Sequence, residues 1–186
     1  MSNEVSVKLI ALCFMIFVLG IAAGFWLVPS PRSVFEEVIE YFRPFIELPA
    51  YMLAIMIFVN NFLKTLILGV LLGLFIGIPP VIFVFLNGLL IGLTCSVAIE
   101  DFGVALTLAS ILPHGVLEIP ALLISSALGI RVGLTVYGRI KRRVLDVKGT
   151  LKGCVKAYFK ITVPLLMMAA VIEVYITPLV MDYFIV

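Results

Sequence analysis

Residues 7–28 of this sequence are apolar at every position except Lys8, and further runs of the same character follow along the chain. A hydrocarbon surrounding offers the backbone no hydrogen-bond partners, so such runs must satisfy their own N–H and C=O groups, and helices do this within one segment. A span of about 20 apolar residues is enough to cross the bilayer core. With 63% of its 186 residues hydrophobic and 13% charged, the chain is not a soluble domain. The pattern predicts an all-α, polytopic membrane helix bundle of about five transmembrane helices, in one domain covering residues 1–186. The crossings fall at about 7–28, 62–77, 80–98, 104–130 and 161–183. The first is longer than the apolar core of a secretory signal and reads as a retained helix.

Two further segments have helical periodicity with a charged face. Over residues 33–47, Val34, Phe35, Val38, Phe42 and Ile46 recur opposite Glu36, Glu37, Glu40 and Glu47, behind a Ser33–Glu36 capping box. Over residues 139–156, Ile140, Val144, Val147, Leu151 and Val155 recur among lysines and arginines. Both are expected to lie in the membrane interface as amphipathic helices. Nine of the thirteen basic residues fall between Arg131 and Lys160. Such a run beside membrane helices suits anionic lipid headgroups, and no nucleic-acid partner is expected. By the positive-inside rule this segment is cytoplasmic. Counting back through five crossings puts the N-terminus inside and the C-terminus outside the cell membrane. The four acids and two bases of residues 29–49 then fall outside, as do Glu100 and Asp101.

Glycine carries the packing signal. Gly69, Gly73 and Gly77 are spaced by four, and Gly88 and Gly92 repeat the spacing in the next run. Small residues at this interval let helix backbones approach closely. These stripes, with the amphipathic segments, suggest a homodimer. The three cysteines, Cys13, Cys95 and Cys154, form neither a disulfide framework nor a thiolate metal motif.

The chemistry concentrates in the apolar runs. His114, the one histidine, lies four residues before Glu118, and a third ionisable group, Glu173, interrupts the last run. Charged groups at bilayer depth are costly and are functional candidates by default. On a helix, His114 and Glu118 share a face, which continues through Ala121, Ser125 and Gly129. Pro113 suits a first helical position, so a break near Leu112 is expected, with a half-helix starting inside the membrane. The rise of about 1.5 Å per residue sets His114, Glu118, Glu173 and Asn87 within one band near the midplane. One imidazole and two carboxylates suit a divalent metal such as Zn²⁺, with Asn60, Asn61 or Asn87 as supporting polar groups. The plain alternative is a neutral, hydrogen-bonded histidine beside a proline kink. No HExxH pair, nucleophile turn or phosphate loop accompanies these residues.

Taken together, Asn60-Asn61, Gly69 with Gly73 and Gly77, Leu86-Asn87-Gly88 with Gly92, Pro113-His114-Gly115 with Glu118 and Pro120-Ala121, and Glu173 with Thr177-Pro178 resemble the stage II sporulation protein M family of integral membrane proteins. The resemblance covers about residues 50–180. It implies a membrane organiser working with other membrane or envelope proteins, since the sporulation member acts with partner membrane proteins and wall hydrolases as a scaffold or regulator. The leading expectation is therefore a non-enzymatic membrane protein organising envelope or membrane-remodelling partners. A transporter or channel-like permease and a metal-dependent intramembrane hydrolase are the alternatives.

Overall fold

The computed structural model describes residues 6–26, 32–37, 40 and 48–185, and their regular structure is entirely helical. Helix α1 spans Val7–Trp26. Helix α2, Ala50–Lys64, runs on through a π turn at Thr65–Val70 and a 3₁₀ turn at Leu71–Leu74. Helix α3, Ile78–Ile140, is broken at Gly103. Helix α4, Val147–Ala157, continues through a π turn at Tyr158–Thr162 into α5, Val163–Tyr175. A bend at Ile176 leads to α6, Thr177–Ile185. Among the described residues, four rods are long and apolar enough to cross a membrane: Val7–Trp26, Ala50–Leu74, Ile78–Ile140 and Val147–Tyr175.

The third rod is a hairpin. At Gly103 φ is 78° and ψ is 167°, a conformation that favours glycine, and a Cβ there would meet nothing within 4 Å. The half before it, residues 78–102, lies antiparallel to the half after it, residues 104–140, so that Asn87 and Thr94 face Leu122 and Ile111 across one cavity. The expected break near Leu112 is not present. The helix passes through Pro113 and Pro120 with helical backbone angles. Each proline removes one N–H, a loss that neighbouring helices absorb in a bundle, whereas reversing the chain demands a left-handed residue. Gly103, beside Glu100 and Asp101, supplies it.

The other tight reversal, at residues 75–77, uses Ile76 and Gly77 at φ 57° and 78°. Pro79 and Pro80 follow within the first turn of α3, where an absent N–H leaves no acceptor unmet.

Backbone-to-backbone seams hold the rods to the hairpin. A Cβ on Gly20 would strike the Phe85 carbonyl, one on Gly24 the Leu89 carbonyl, and one on Gly88 or Gly92 the carbonyls of Phe17 or Ile21. Helix α1 therefore runs parallel to residues 78–102 in close contact. The second rod makes the same kind of seam with residues 104–140, pairing Gly69 with Ser125, Gly73 with Gly129 and Gly77 with Gly133. Both stripes are used inside one chain. Between them, Phe17, Phe83, Leu122 and Ala127 form one buried cluster, and Val70, Leu128, Val132, Cys154 and Tyr158 form another.

This register gathers the ends of the rods. One end of the bundle carries Lys8, the 75–77 turn and the exposed Arg139, Lys141, Arg142 and Arg143. The opposite end carries Gly103 and the exposed Glu36, Glu37, Glu100 and Asp101. There Arg32 donates to Asp101 through both terminal nitrogens, at 3.2 and 2.7 Å, tying the chain beyond α1 to the hairpin tip. The hydrogen bond and charge of Asp101 push the Arg32 pKa above its ordinary value.

Two segments differ from expectation in form. The helix expected to start near residue 62 begins at Ala50 and passes through Asn60, Asn61 and Lys64 without interruption. The surface helix expected over 139–156 is instead the end of α3, a turn, and the first turns of the last rod. Asp146 caps that rod by accepting from the Gly149 N–H at 2.9 Å. Cys154, Ala157 and Tyr158 are buried against the second cluster while Lys148, Lys152 and Lys156 stay exposed, so the amphipathic face packs on protein. Of the surface helix expected over 33–47, residues 32–37 are helical, with Val34 and Phe35 half-buried. Apart from Glu40, the rest lies outside the described residues.

Candidate functional site

Midway along the bundle, the second half of α3 and helix α5 bring three ligand-bearing side chains together. One donor atom each from His114, Glu118 and Glu173 lies within 4.8 Å of the other two. The local reasons are simple. His114 and Glu118 are one helical turn apart, and Leu166, Ala169 and Ala170 on α5 are buried, so the α5 backbone sits close to α3. Donor atoms around a tetrahedral ion with bonds of about 2.0–2.2 Å lie roughly 3.4 Å apart. The set would have to contract by little more than an ångström, within reach of side-chain rotation. Two facing carboxylates in an apolar bundle call for a counter-cation or a shared proton.

Neighbouring groups hold Glu118 and His114. Asn61 Nδ2 donates to Glu118 Oε1 at 3.0 Å, reaching across from α2. The Thr177 hydroxyl donates to the Ile172 carbonyl at 3.2 Å and stands 3.5 Å from His114 Nδ1. Which of the two donates in that contact follows from the imidazole tautomer. Asn87 donates to the Phe83 carbonyl of its own helix at 2.7 Å and lines a cavity together with His114 and Glu118. Asn60 is half-buried and forms no hydrogen bond with this group among the described residues. Gly69, Gly73, Gly77, Gly88 and Gly92 lie in the two seams and present no chemistry.

Three contributors carried less signal in the sequence. The exposed Lys64 lies one turn beyond Asn61, the residue that donates to Glu118. A lone lysine in an apolar run was the available clue. Thr94 reaches the cavity from the opposite half of the hairpin, with nothing to mark it. Tyr158, fully buried, donates to the Phe62 carbonyl at 2.8 Å and lies 2.9 Å from the Thr65 hydroxyl, joining the two π turns.

Apolar rods of this length, sealed by glycine seams and carrying most of their charges at the two ends, define a helical membrane protein. A family model described as Stage II sporulation protein M matches residues 13–178. The chain belongs to that family. It is 31% identical over 179 residues to an uncharacterized protein of Methanocaldococcus jannaschii, covering 94% of this chain and 96% of that protein. No solved structure matches the chain.

Proposed function

We propose that this is a non-enzymatic, multi-pass protein of the cell membrane whose bundle is braced at mid-depth by one divalent cation, and that it organises partner proteins of the membrane or envelope. The observation that carries the reading is the convergence of His114, Glu118 and Glu173 from two separate rods. A cation there links the hairpin to the last rod and offsets two carboxylates that hydrocarbon would otherwise penalise. Imidazole with carboxylates suits Zn²⁺. Family membership supports the organising role. The glycine seams are filled within one chain, so support for a homodimer has to come from other surfaces.

The two charged ends support five crossings, with the basic end cytoplasmic, the N-terminus beside it and the C-terminus outside. Anionic lipid headgroups are the natural partners of that end.

The test is elemental analysis of protein purified without chelator, followed by Zn²⁺ titration of the stripped protein. One ion per chain is expected, falling to below about a tenth in His114→Ala and Glu173→Gln. Chelation should lower the melting temperature of the native chain and leave that of the variants unchanged, since an ion at 1,000 times its Kd stabilises by about 4 kcal/mol. Native protein that neither retains nor takes up a divalent ion refutes the reading.

A further inference from the structure

The cavity between the two halves of α3 opens directly onto this centre. Its volume is about 240 Å³, and its walls include Asn87, Thr94, His114 and Glu118, with Leu90 and Ile119 among the apolar ones. Glu173 and Asn61 are not among its walls, so the cavity adjoins the side of the centre that those two groups do not fill. Three protein donors leave at least one position open on a tetrahedral ion.

Charge says what would fill it. A divalent ion with two carboxylates and a neutral imidazole sums to zero, and the ammonium of Lys64, one turn along α2 from the Asn61 that donates to Glu118, adds a single positive charge. The centre therefore favours one negative charge more. Polar groups in the cavity agree with an oxygen ligand. Asn87 uses one N–H on the Phe83 carbonyl, which leaves its second N–H for a ligand, and Thr94 contributes a hydroxyl. The remaining surface is largely aliphatic. Leu90, at the rim, is 47% exposed, so the mouth lies on the flank of the bundle where hydrocarbon surrounds it.

We propose that the cavity binds a carboxylate carrying an apolar chain, with a carboxylate oxygen in the open position on the ion, the Asn87 amide donating to the carboxylate, and the chain lying along Leu90 and Ile119. The proposal rests on the metal reading above. A singly charged carboxylate matches the one surplus charge, whereas a doubly charged phosphate overshoots it.

The experiment uses the full chain in detergent, loaded with Co²⁺, whose visible absorption reports its ligands. Octanoate, acetate and inorganic phosphate are titrated separately. Octanoate should shift the band saturably, at concentrations at least about tenfold below acetate, because its added methylenes bury apolar surface. Asn87→Leu should raise the half-saturating octanoate concentration about tenfold while Co²⁺ stays bound. If that variant does not purify as a monodisperse species, Thr94→Val serves instead, with a rise of several-fold expected. A Co²⁺ band that none of the three anions moves, a phosphate response ahead of octanoate, or no effect of either variant overturns the proposal and leaves the metal reading standing. Failure to load Co²⁺ at all removes both.

Discussion

The same single-methyl substitution should have opposite signs at two glycines of α3. A Cβ on Gly129 would collide with the Gly69 carbonyl oxygen, and would lie 2.7 Å from Pro80 Cγ and 3.0 Å from the Gly69 carbonyl carbon. Those neighbours are backbone and a proline ring, so no rotamer change relieves the contact, and the two rods must part. Overpacking of this kind costs about 3 kcal/mol at the upper end of its usual range. Alanine recovers about 1 kcal/mol over glycine inside a helix, which leaves a net loss of about 2 kcal/mol. At Gly115 a Cβ would meet only Ile111 Cγ2 and Ile119 Cδ1, both at 3.7 Å, an ordinary contact. Only the propensity gain remains there, about 0.5–1 kcal/mol of stabilisation. Reversible unfolding in mixed micelles, followed by circular dichroism, should separate Gly129→Ala from Gly115→Ala by about 3 kcal/mol, over a hundredfold in the folding equilibrium. Equal stabilities, or a Gly115→Ala chain weaker than Gly129→Ala, would refute the seam as the source of cohesion.

Other outcomes are open to measurement. Asn61→Leu removes the donor to Glu118 and should weaken Zn²⁺ affinity by about tenfold, read by competition with a chromophoric chelator. Tyr158→Phe leaves the Phe62 carbonyl without its cross-helix donor and should cost about 1–2 kcal/mol in the same micelle unfolding assay. Cysteines placed at Val144, which is 95% exposed, and at Phe102, 61% exposed, should label from the cytoplasmic and outer faces respectively. The buried native Cys13 and Cys154 should contribute little background, and labelling of Val144→Cys from outside would invert the proposed orientation.

Much of this architecture could be read from residues that hydrocarbon tolerates badly. His114 and Glu118 stand out because an apolar run has no ordinary use for them, and a spacing of four sets them on one face. Leu166, Ala169 and Ala170 share a helical face with Glu173, and all three are buried. Pro113 misled because a missing N–H and a forbidden φ leave similar marks in sequence. Only the second compels a reversal, and Gly103 has it. The π turns at Thr65–Val70 and Tyr158–Thr162 were illegible for another reason. Nothing in their residues sets them apart from the helical runs on either side, and the two turns meet across the rods through the Tyr158–Thr65 contact. Likewise, Asn61 looked like an interruption because its partner, Glu118, lies 57 residues away.

The seam between α1 and the hairpin also has a consequence for how the chain is made. Gly20 and Gly24 close against the backbone around Gly88 and Gly92, which enters the polypeptide 68 residues later. At ribosomal rates of about 5–20 residues per second, α1 is synthesised roughly 3–14 seconds before its seat exists. During that interval its glycine face is bare to lipid or to the insertion machinery, and the second rod waits similarly for Ser125, Gly129 and Gly133. The hairpin is thus the template on which two earlier helices are fitted backwards. A ribosome that stalls before residue 88 therefore releases a chain with inserted helices and no bundle, exposed to membrane quality control.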